Sequence, residues 1–155
     1  MLHFLRIFLF LCFSLNAFEQ ADRTAIYDAI QVYADAWNYH GGKGFGDSFT
    51  EDADFVNIFG MNFIGRNEIE ERHLKIIQTL FKGSFLEIQD VKLREAQPGL
   101  VIALVSWKLE GFRNPGSDMS KPGVTRDGIF TQVFINRDKK WLITASQNTL
   151  KPTNL

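Results

Sequence analysis

His73 is the side chain in this sequence best suited to proton transfer, because an imidazole titrates near neutral pH. It recurs with Ile69, Ile76 and Ile77 on one stripe of a predicted helix, so we expect it to face inward. Two interpretations follow from that position. His73 is either a core histidine that is hydrogen-bonded to a neighbour or a proton donor or acceptor inside a pocket.

Three aromatic residues have a similar double interpretation. Tyr33 and Trp37 lie on the inward stripe of the first predicted helix, and Trp107 lies on a predicted strand. Each has an apolar body and a polar tip, which suits a pocket wall where one end contacts a ligand. Ordinary core packing is the alternative.

Two asparagines and a phenylalanine extend this set of ligand-binding candidates. Asn57 interrupts an apolar segment in which Phe55 and Phe59 have the same parity. A buried amide needs hydrogen-bond partners, so Asn57 either bonds the backbone or faces a wet cavity. Asn148 lies in a polar cluster, residues 147–149, that is either a strand end or the mouth of a pocket.

The motifs of several site classes are missing from the sequence. It has no HExxH, Cys-x-x-Cys, GxSxG or P-loop pattern, and the glycines at 42, 44 and 46 follow a predicted helix instead of a strand. We therefore expect no metal and no cofactor. The formal net charge is −1 with scattered Lys and Arg, which indicates neither a nucleic-acid partner nor an anionic membrane partner for the mature chain.

The first seventeen residues have the order of a secretory signal peptide. Arg6 supplies a positive charge, residues 7–15 are apolar, and Ala17 is a small residue at a cleavage position. This pattern predicts a signal peptide over 1–17 and a periplasmic or secreted protein. Because Leu15 is an imperfect residue three positions before the cut, an uncleaved anchor is the alternative.

Signal removal leaves a single predicted domain over 18–155, which is within the usual size of one domain. It also removes Cys12, the only cysteine, so the mature chain has no disulfide.

The order of elements predicts an α+β fold, because helices come first and strands follow. Asp22 would cap a helix over 23–40 that ends at Gly41-Gly42, and Asn67 with Glu70 would form a capping box for a helix over 65–81. The predicted strands cover 53–59, 84–95, 100–112, 127–135 and 141–148, with a polar loop over 113–125. The strand over 100–112 is apolar on both faces, which is typical of a central strand covered on each side.

The spaced segments FTEDADFVNIFG (49–60), Gly65-Arg66, the helix with His73 and SQNT (146–149) resemble the SnoaL-like proteins of the nuclear transport factor 2-like superfamily. The similar branch is the one named after SgcJ and EcaC, a domain of unknown function. The resemblance covers about residues 22–150. It implies a cystatin-like α+β roll, a cone in which a curved antiparallel sheet wraps around helices, with a pocket at the wide end. It also implies a homodimer formed through the sheet.

The ketosteroid isomerases of the same superfamily allow a comparison residue by residue. Their helix tyrosine falls on Tyr33, their proton-shuttling aspartate falls on Asn57, and their second acid falls near Thr131. An amide cannot accept and return a proton as a carboxylate does. The resemblance therefore predicts the shape of that family without its isomerisation.

Three functions remain open from the sequence. The leading hypothesis is an exported pocket protein that binds a small, mainly apolar or carbonyl-bearing molecule. The second is a cofactor-free enzyme of the cyclase, isomerase or dehydratase kind, with His73 as acid–base and Tyr33 or Asn57 stabilising an oxygen. The third is a homodimeric protein-association module that uses its sheet face. The pocket would be lined by Tyr33, Trp37, Asn57, Phe59, His73, Trp107 and Asn148.

Overall fold

A computed structural model describes the backbone of residues 5–112 and 123–152, and the side chains from residue 20 onward except near the gap. Within these ranges the chain forms two α-helices, a short 3₁₀ helix and six strands. The helices are α1 (Leu5–Tyr39) and α2 (Arg66–Gln78), and the 3₁₀ helix is Phe45–Ser48. The strands are β1 (Phe49–Val56), β2 (Asn62–Ile64), β3 (Phe85–Gln97), β4 (Leu100–Phe112), β5 (Val124–Arg137) and β6 (Lys140–Leu150). The predicted α+β class is confirmed.

The strands form one mixed sheet in the order β2-β1-β6-β5-β4-β3. Strands β3 to β6 pair antiparallel with their neighbours in sequence, and β2 pairs antiparallel with β1. β1, however, runs parallel to β6. The expected all-antiparallel sheet is therefore wrong at this one pair, because β1 comes from the helical half of the chain and joins the last strand in the same direction.

Irregular pairing accompanies the curvature of the sheet. Four of the strand pairs contain a bulge or register shift, for example between Ile88 and Asp90 on β3. Each bulge bends its strand and increases its twist. The resulting concave face packs against α1, whose stripe Ile26, Ile30 and Tyr33 is at most 2% exposed. This stripe was predicted from its spacing.

The start of α1 differs from the prediction. The helix begins at Leu5, so Asp22 lies inside it and is not its cap. The Asp22 carboxylate instead accepts a hydrogen bond of 2.8 Å from the indole Nε1 of Trp141, which joins α1 to β6. The helix ends at Tyr39, just before the predicted stop at Gly41-Gly42.

The capping box predicted for α2 is also wrong. Gly65, with φ of 83°, occupies the N-cap position, and Asn67 is already inside the helix. The first helical residue, Arg66, ties α2 to β1, because its Nε and Nη2 donate to the Phe49 carbonyl at 2.8 and 2.6 Å. A cation bonded to a strand carbonyl thus fixes the helix against the sheet.

Strand β4 lies between β3 and β5, as its apolar sequence suggested, but only one of its faces is covered. Ala103 and Val105 on the concave face have no exposure, whereas Leu104 on the convex face is 43% exposed. The difference arises because α1 and α2 both pack on the concave side. Of the predicted loop over 113–125, residues 113–122 lie outside the described residues, and β5 already begins at Val124.

None of the helices in the described residues has both the length and the apolar character that crossing a membrane requires.

Candidate ligand-binding pocket

A cavity of about 330 Å³ lies between the concave face of the sheet, α1 and α2. This volume falls within the range of small-molecule sites. Most of the lining is aromatic or aliphatic. The polar side chains of the lining are Asn57, Arg72, His73, Arg126 and Asn148.

His73 projects from α2 into this cavity. Its Nδ1 is 2.7 Å from the carbonyl oxygen of Ile69, one turn earlier. Because a carbonyl only accepts hydrogen bonds, Nδ1 carries the proton and Nε2 is left as an acceptor. The ring stacks on Phe45, with centroids 3.7 Å apart and planes at 9°, and meets the edge of Phe55 at 4.9 Å.

The surroundings of His73 keep it uncharged. Burial among the aromatic rings lowers its pKa from 6.5 to about 4, against the opposing effect of the Ile69 carbonyl, and the positive charge of Arg72 lowers it further. The two interpretations of the sequence therefore combine, because His73 is hydrogen-bonded in the core and also lines the cavity. A pKa this low makes Nε2 a weak base at neutral pH.

Trp37 and Trp107 both line the cavity, and both have their polar tips bonded within the protein. The indole Nε1 of Trp37 donates to Ser84 Oγ at 3.1 Å, and that of Trp107 donates to Asn148 Oδ1 at 3.1 Å. The polar tips were expected to be open to a ligand, but the two residues present apolar ring surface to the cavity instead.

Gly128 on β5 makes room for Trp107. The register places Gly128 directly opposite Trp107, and a Cβ at this glycine would lie 2.1 Å from the Trp107 Cζ2 atom. The indole therefore lies across β5 and reaches Asn148 on β6. Only glycine leaves this space open.

Asn57 lines the cavity and also holds the turn after β1. Its Oδ1 accepts hydrogen bonds from the backbone N–H groups of Phe59 and Met61, at 2.9 and 3.0 Å. Strand β1 ends at Val56, so the predicted strand over 53–59 is wrong in its last residues. Phe59 lies in this turn at the rim of the cavity and is 76% exposed.

Tyr33 is not part of the cavity lining, so its predicted place in the pocket is wrong. Its ring packs against Phe45 and Phe130, two lining residues, with centroids 5.6 and 6.0 Å away. Burial raises the pKa of the phenol, and the nearby side chain of Gln132 opposes this effect. Nevertheless, Tyr33 Oη has no partner of hydrogen-bond geometry among the described residues.

Two lining residues, Arg72 and Arg126, were not singled out from the sequence. Arg72 extends from α2 over the Phe63 ring, with its Cζ 5.5 Å from the centroid. Arg126 has the same strand parity as Gly128 and Phe130, so it points to the concave face. That parity was the available signal, since an arginine in step with inward apolar residues suggests a charged group inside a pocket.

Among the described residues, no three His, Cys, Asp or Glu side chains lie together as the ligands of a metal ion would.

The chain matches no protein-family model and no curated protein. Among solved structures, a domain of unknown function with a cystatin-like fold from Nostoc punctiforme is 32% identical, over 86% of this chain and 80% of that chain, with a TM-score of 0.73. An uncharacterised protein of Caulobacter vibrioides with a cystatin-like fold is 26% identical, over 85% of this chain and 91% of that chain, with a TM-score of 0.75. A hexachlorocyclohexane dehydrochlorinase, LinA type 2, is 10% identical, over 88% of this chain and 97% of that chain, with a TM-score of 0.74. The last likeness is one of fold alone.

Proposed function

The chain belongs to the nuclear transport factor 2-like superfamily, which has the cystatin-like fold, and we propose that it binds a small, mainly apolar molecule in its cavity. The fold itself does not specify a ligand, because it is shared by proteins with different functions. Membership of the branch named after SgcJ and EcaC stays a prediction.

The observation that carries the proposal is the cavity of about 330 Å³ with its mainly apolar wall. The indole N–H groups of Trp37 and Trp107 are already bonded, so these residues offer ring faces. Few polar groups remain to orient a ligand. An aromatic wall with a small number of polar groups is the usual composition of a small-molecule site.

The proposal can be tested by calorimetric titration with 2-acetonaphthone, a flat neutral ketone. We expect binding with a Kd below about 100 µM. In the variant Ile76→Trp, a larger side chain should fill part of the cavity and weaken binding at least about tenfold, since the ligand and the indole would compete for the same volume.

The matched control is Leu104→Trp, which adds an indole on the convex face. This variant should bind 2-acetonaphthone as the wild type does. If the folded wild-type protein does not bind up to about 1 mM, or if Ile76→Trp binds normally, the cavity is not the site.

A second candidate is a cofactor-free enzyme in which His73 removes a proton from a carbonyl compound. It is favoured by one observation, the position of His73 in the cavity wall with Nε2 left as an acceptor. The low pKa of His73 counts against it and places it second. A solved structure of similar fold is that of a dehydrochlorinase, so this fold is used by an enzyme.

Proton exchange would test this second candidate. In D₂O, a base in the cavity should exchange the methyl protons of bound 2-acetonaphthone, which NMR detects directly. We expect His73→Gln to abolish the exchange while binding remains. Exchange at the buffer rate in the saturated wild type would reject the enzyme.

We also propose that residues 1–17 direct export and are cleaved. The sequence supports this, because the charge of Arg6 precedes the apolar residues 7–15 and the small residue Ala17. The mass of the N-terminal peptide of protein recovered from its host tests the cleavage. A mass that includes residues 1–17 would indicate the uncleaved anchor.

A homodimer formed through the convex face of the sheet is the remaining proposal. Leu104, exposed in the middle of an interior strand, supports it. Its neighbours across the sheet are Lys92 and Thr131, so the exposed leucine lies among polar residues.

A further inference from the structure

We infer that the ligand is an apolar carboxylic acid whose carboxylate is held by Arg72, with Arg126 as a second cation of the same pocket. This inference rests on the proposed binding function and adds the charge of the ligand to it.

The charge of the cavity lining is the first argument. Among the described residues, two guanidinium groups and no Asp or Glu line the cavity. Arg72 is half-buried against the Phe63 ring, and no carboxylate in the described part of the chain forms an ion pair with it. A partly desolvated guanidinium attracts an anion strongly, and its planar fork matches a carboxylate.

The second argument concerns the lining asparagines, Asn57 and Asn148, and which of their hydrogen-bonding groups have no partner within the described ranges. Asn57 Oδ1 is occupied by two backbone N–H donors, and Asn148 Oδ1 is occupied by the indole N–H of Trp107. Because these partners only donate, the orientation of both amides is fixed. The group that each asparagine has left is its Nδ2 donor. These two donors suit a ligand group that accepts hydrogen bonds, while His73 Nε2 is an acceptor in the same lining.

The position of Arg72 over the Phe63 ring places the cation beside the aromatic part of the cavity. Arg126 faces the cavity from β5, where Leu109 is its cross-strand neighbour and a lining residue. Its Nη1 donates to the Thr125 carbonyl at 3.3 Å. A ligand can therefore place its rings against the apolar wall and its carboxylate at Arg72.

The test compares 2-naphthoate with 2-acetonaphthone by calorimetry at pH 7.5. The two probes have the same ring system and nearly the same shape, and they differ in the charge of one group. We expect wild type to prefer 2-naphthoate by at least about tenfold, since the guanidinium of Arg72 would then face an anion in place of a neutral carbonyl. In Arg72→Gln the preference should fall below about threefold, because the affinity for 2-naphthoate drops much more than the affinity for 2-acetonaphthone.

Two further variants control for charge and for folding. Arg94→Gln removes the same charge on the exposed side of β3 and should keep the full preference. Arg72→Lys keeps the charge without the fork and should recover part of the preference.

The outcomes distinguish the carboxylate inference from the proposed binding function on which it rests. Equal affinity of wild type for both probes overturns the carboxylate inference and leaves the apolar pocket standing. A preference that persists in Arg72→Gln also overturns it. Failure of both probes to bind folded wild type overturns the proposed function, and the inference falls with it.

Discussion

At His73, burial lowers the pKa of the imidazole, whereas its hydrogen bond raises that pKa. The buried ring is neutral because its folded-state pKa of about 4 lies below the ordinary value of 6.5. Between these two values the unfolded chain binds more protons than the folded chain, so acid favours unfolding. The free energy of unfolding should therefore decrease as the pH falls from 6.5 towards 4, by up to about 3 kcal/mol from this group.

Urea denaturation between pH 4 and pH 7.5 measures this effect. We expect the wild type to lose more stability over this interval than His73→Gln, which has no imidazole at this position. His40 is exposed, so His40→Gln should retain the wild-type pH dependence. Identical slopes for wild type and His73→Gln would contradict the burial argument.

Tyr33 is a second residue whose role depends on burial. The group in question is its hydroxyl. It lies behind the cavity wall without a hydrogen-bond partner among the described residues. Tyr33→Phe removes only this unsatisfied group, so we expect the stability to change by less than about 1 kcal/mol. Tyr33→Ala also removes the ring and should cost about 3–5 kcal/mol. Ligand binding by Tyr33→Phe should equal that of wild type, and a binding loss would return Tyr33 to the site.

The sequence indicated which side chains face inward, but not what their polar atoms contact. The inward position of His73 followed from its spacing and is confirmed. The partners of Trp37 and Trp107 are 47 and 41 residues away in the chain, so no local pattern contains them. Tyr33 shares the stripe of Trp37, yet Phe45 and Phe130 stand between it and the cavity.

Among the elements, β5 has a glycine, Gly128, that leaves room for the side chain of Trp107 on the neighbouring strand β4. Gly128→Ala would push a methyl group into the Trp107 indole and against the Thr149 carbonyl oxygen, at 2.7 Å. We expect a loss of about 1–3 kcal/mol, measured by urea denaturation, and weaker binding of 2-acetonaphthone. In a Trp107→Leu background the same substitution should cost less, because part of the clash is gone. Equal costs in both backgrounds would show that Trp107 is not the obstacle.

The turn between β1 and β2 depends on Asn57 in a comparable way. Asn57→Ala removes the acceptor of two backbone N–H groups, so we expect the free energy of unfolding to fall by about 1–2 kcal/mol. The turn that carries Phe59 at the rim of the pocket should also be held less firmly. Asn57→Asp keeps an acceptor oxygen and should retain most of the stability. Thermal or urea denaturation of the pair decides this. A destabilised Asn57→Asp together with a normal Asn57→Ala would contradict the structural role.

Periodicity predicted the elements better than their ends or their pairing. The stripes of α1 and α2 have helical spacing, and both helices exist. The cap of α2 was misassigned because Gly65 takes the N-cap position through its positive φ. Strand β2 has three residues, too few for an alternating pattern. The parallel pairing of β1 with β6 was missed because side chains alternate identically in parallel and antiparallel strands.

For the whole molecule, the order of helices and strands was sufficient for the fold class, but it did not specify which face of the sheet is covered. Both faces of β4 are apolar in sequence, and the helices cover one of them. The convex face thus keeps apolar residues that the isolated chain does not bury. A second copy of the chain would explain them, if its interface reaches the area of about 1,200–2,000 Å² that stable complexes bury.

Leu104→Glu tests that dimer. A glutamate at the centre of the interface would lose its hydration in the dimer even with Lys92 across the strands, whereas in the monomer it stays in water. We expect light scattering to show a dimeric wild type and a folded, monomeric Leu104→Glu that still binds 2-acetonaphthone, because residue 104 points away from the cavity. Val32→Glu places the same charge on an exposed site of α1 and should remain dimeric. A monomeric wild type, or a dimer that survives Leu104→Glu, would mean that the convex face does not join two copies.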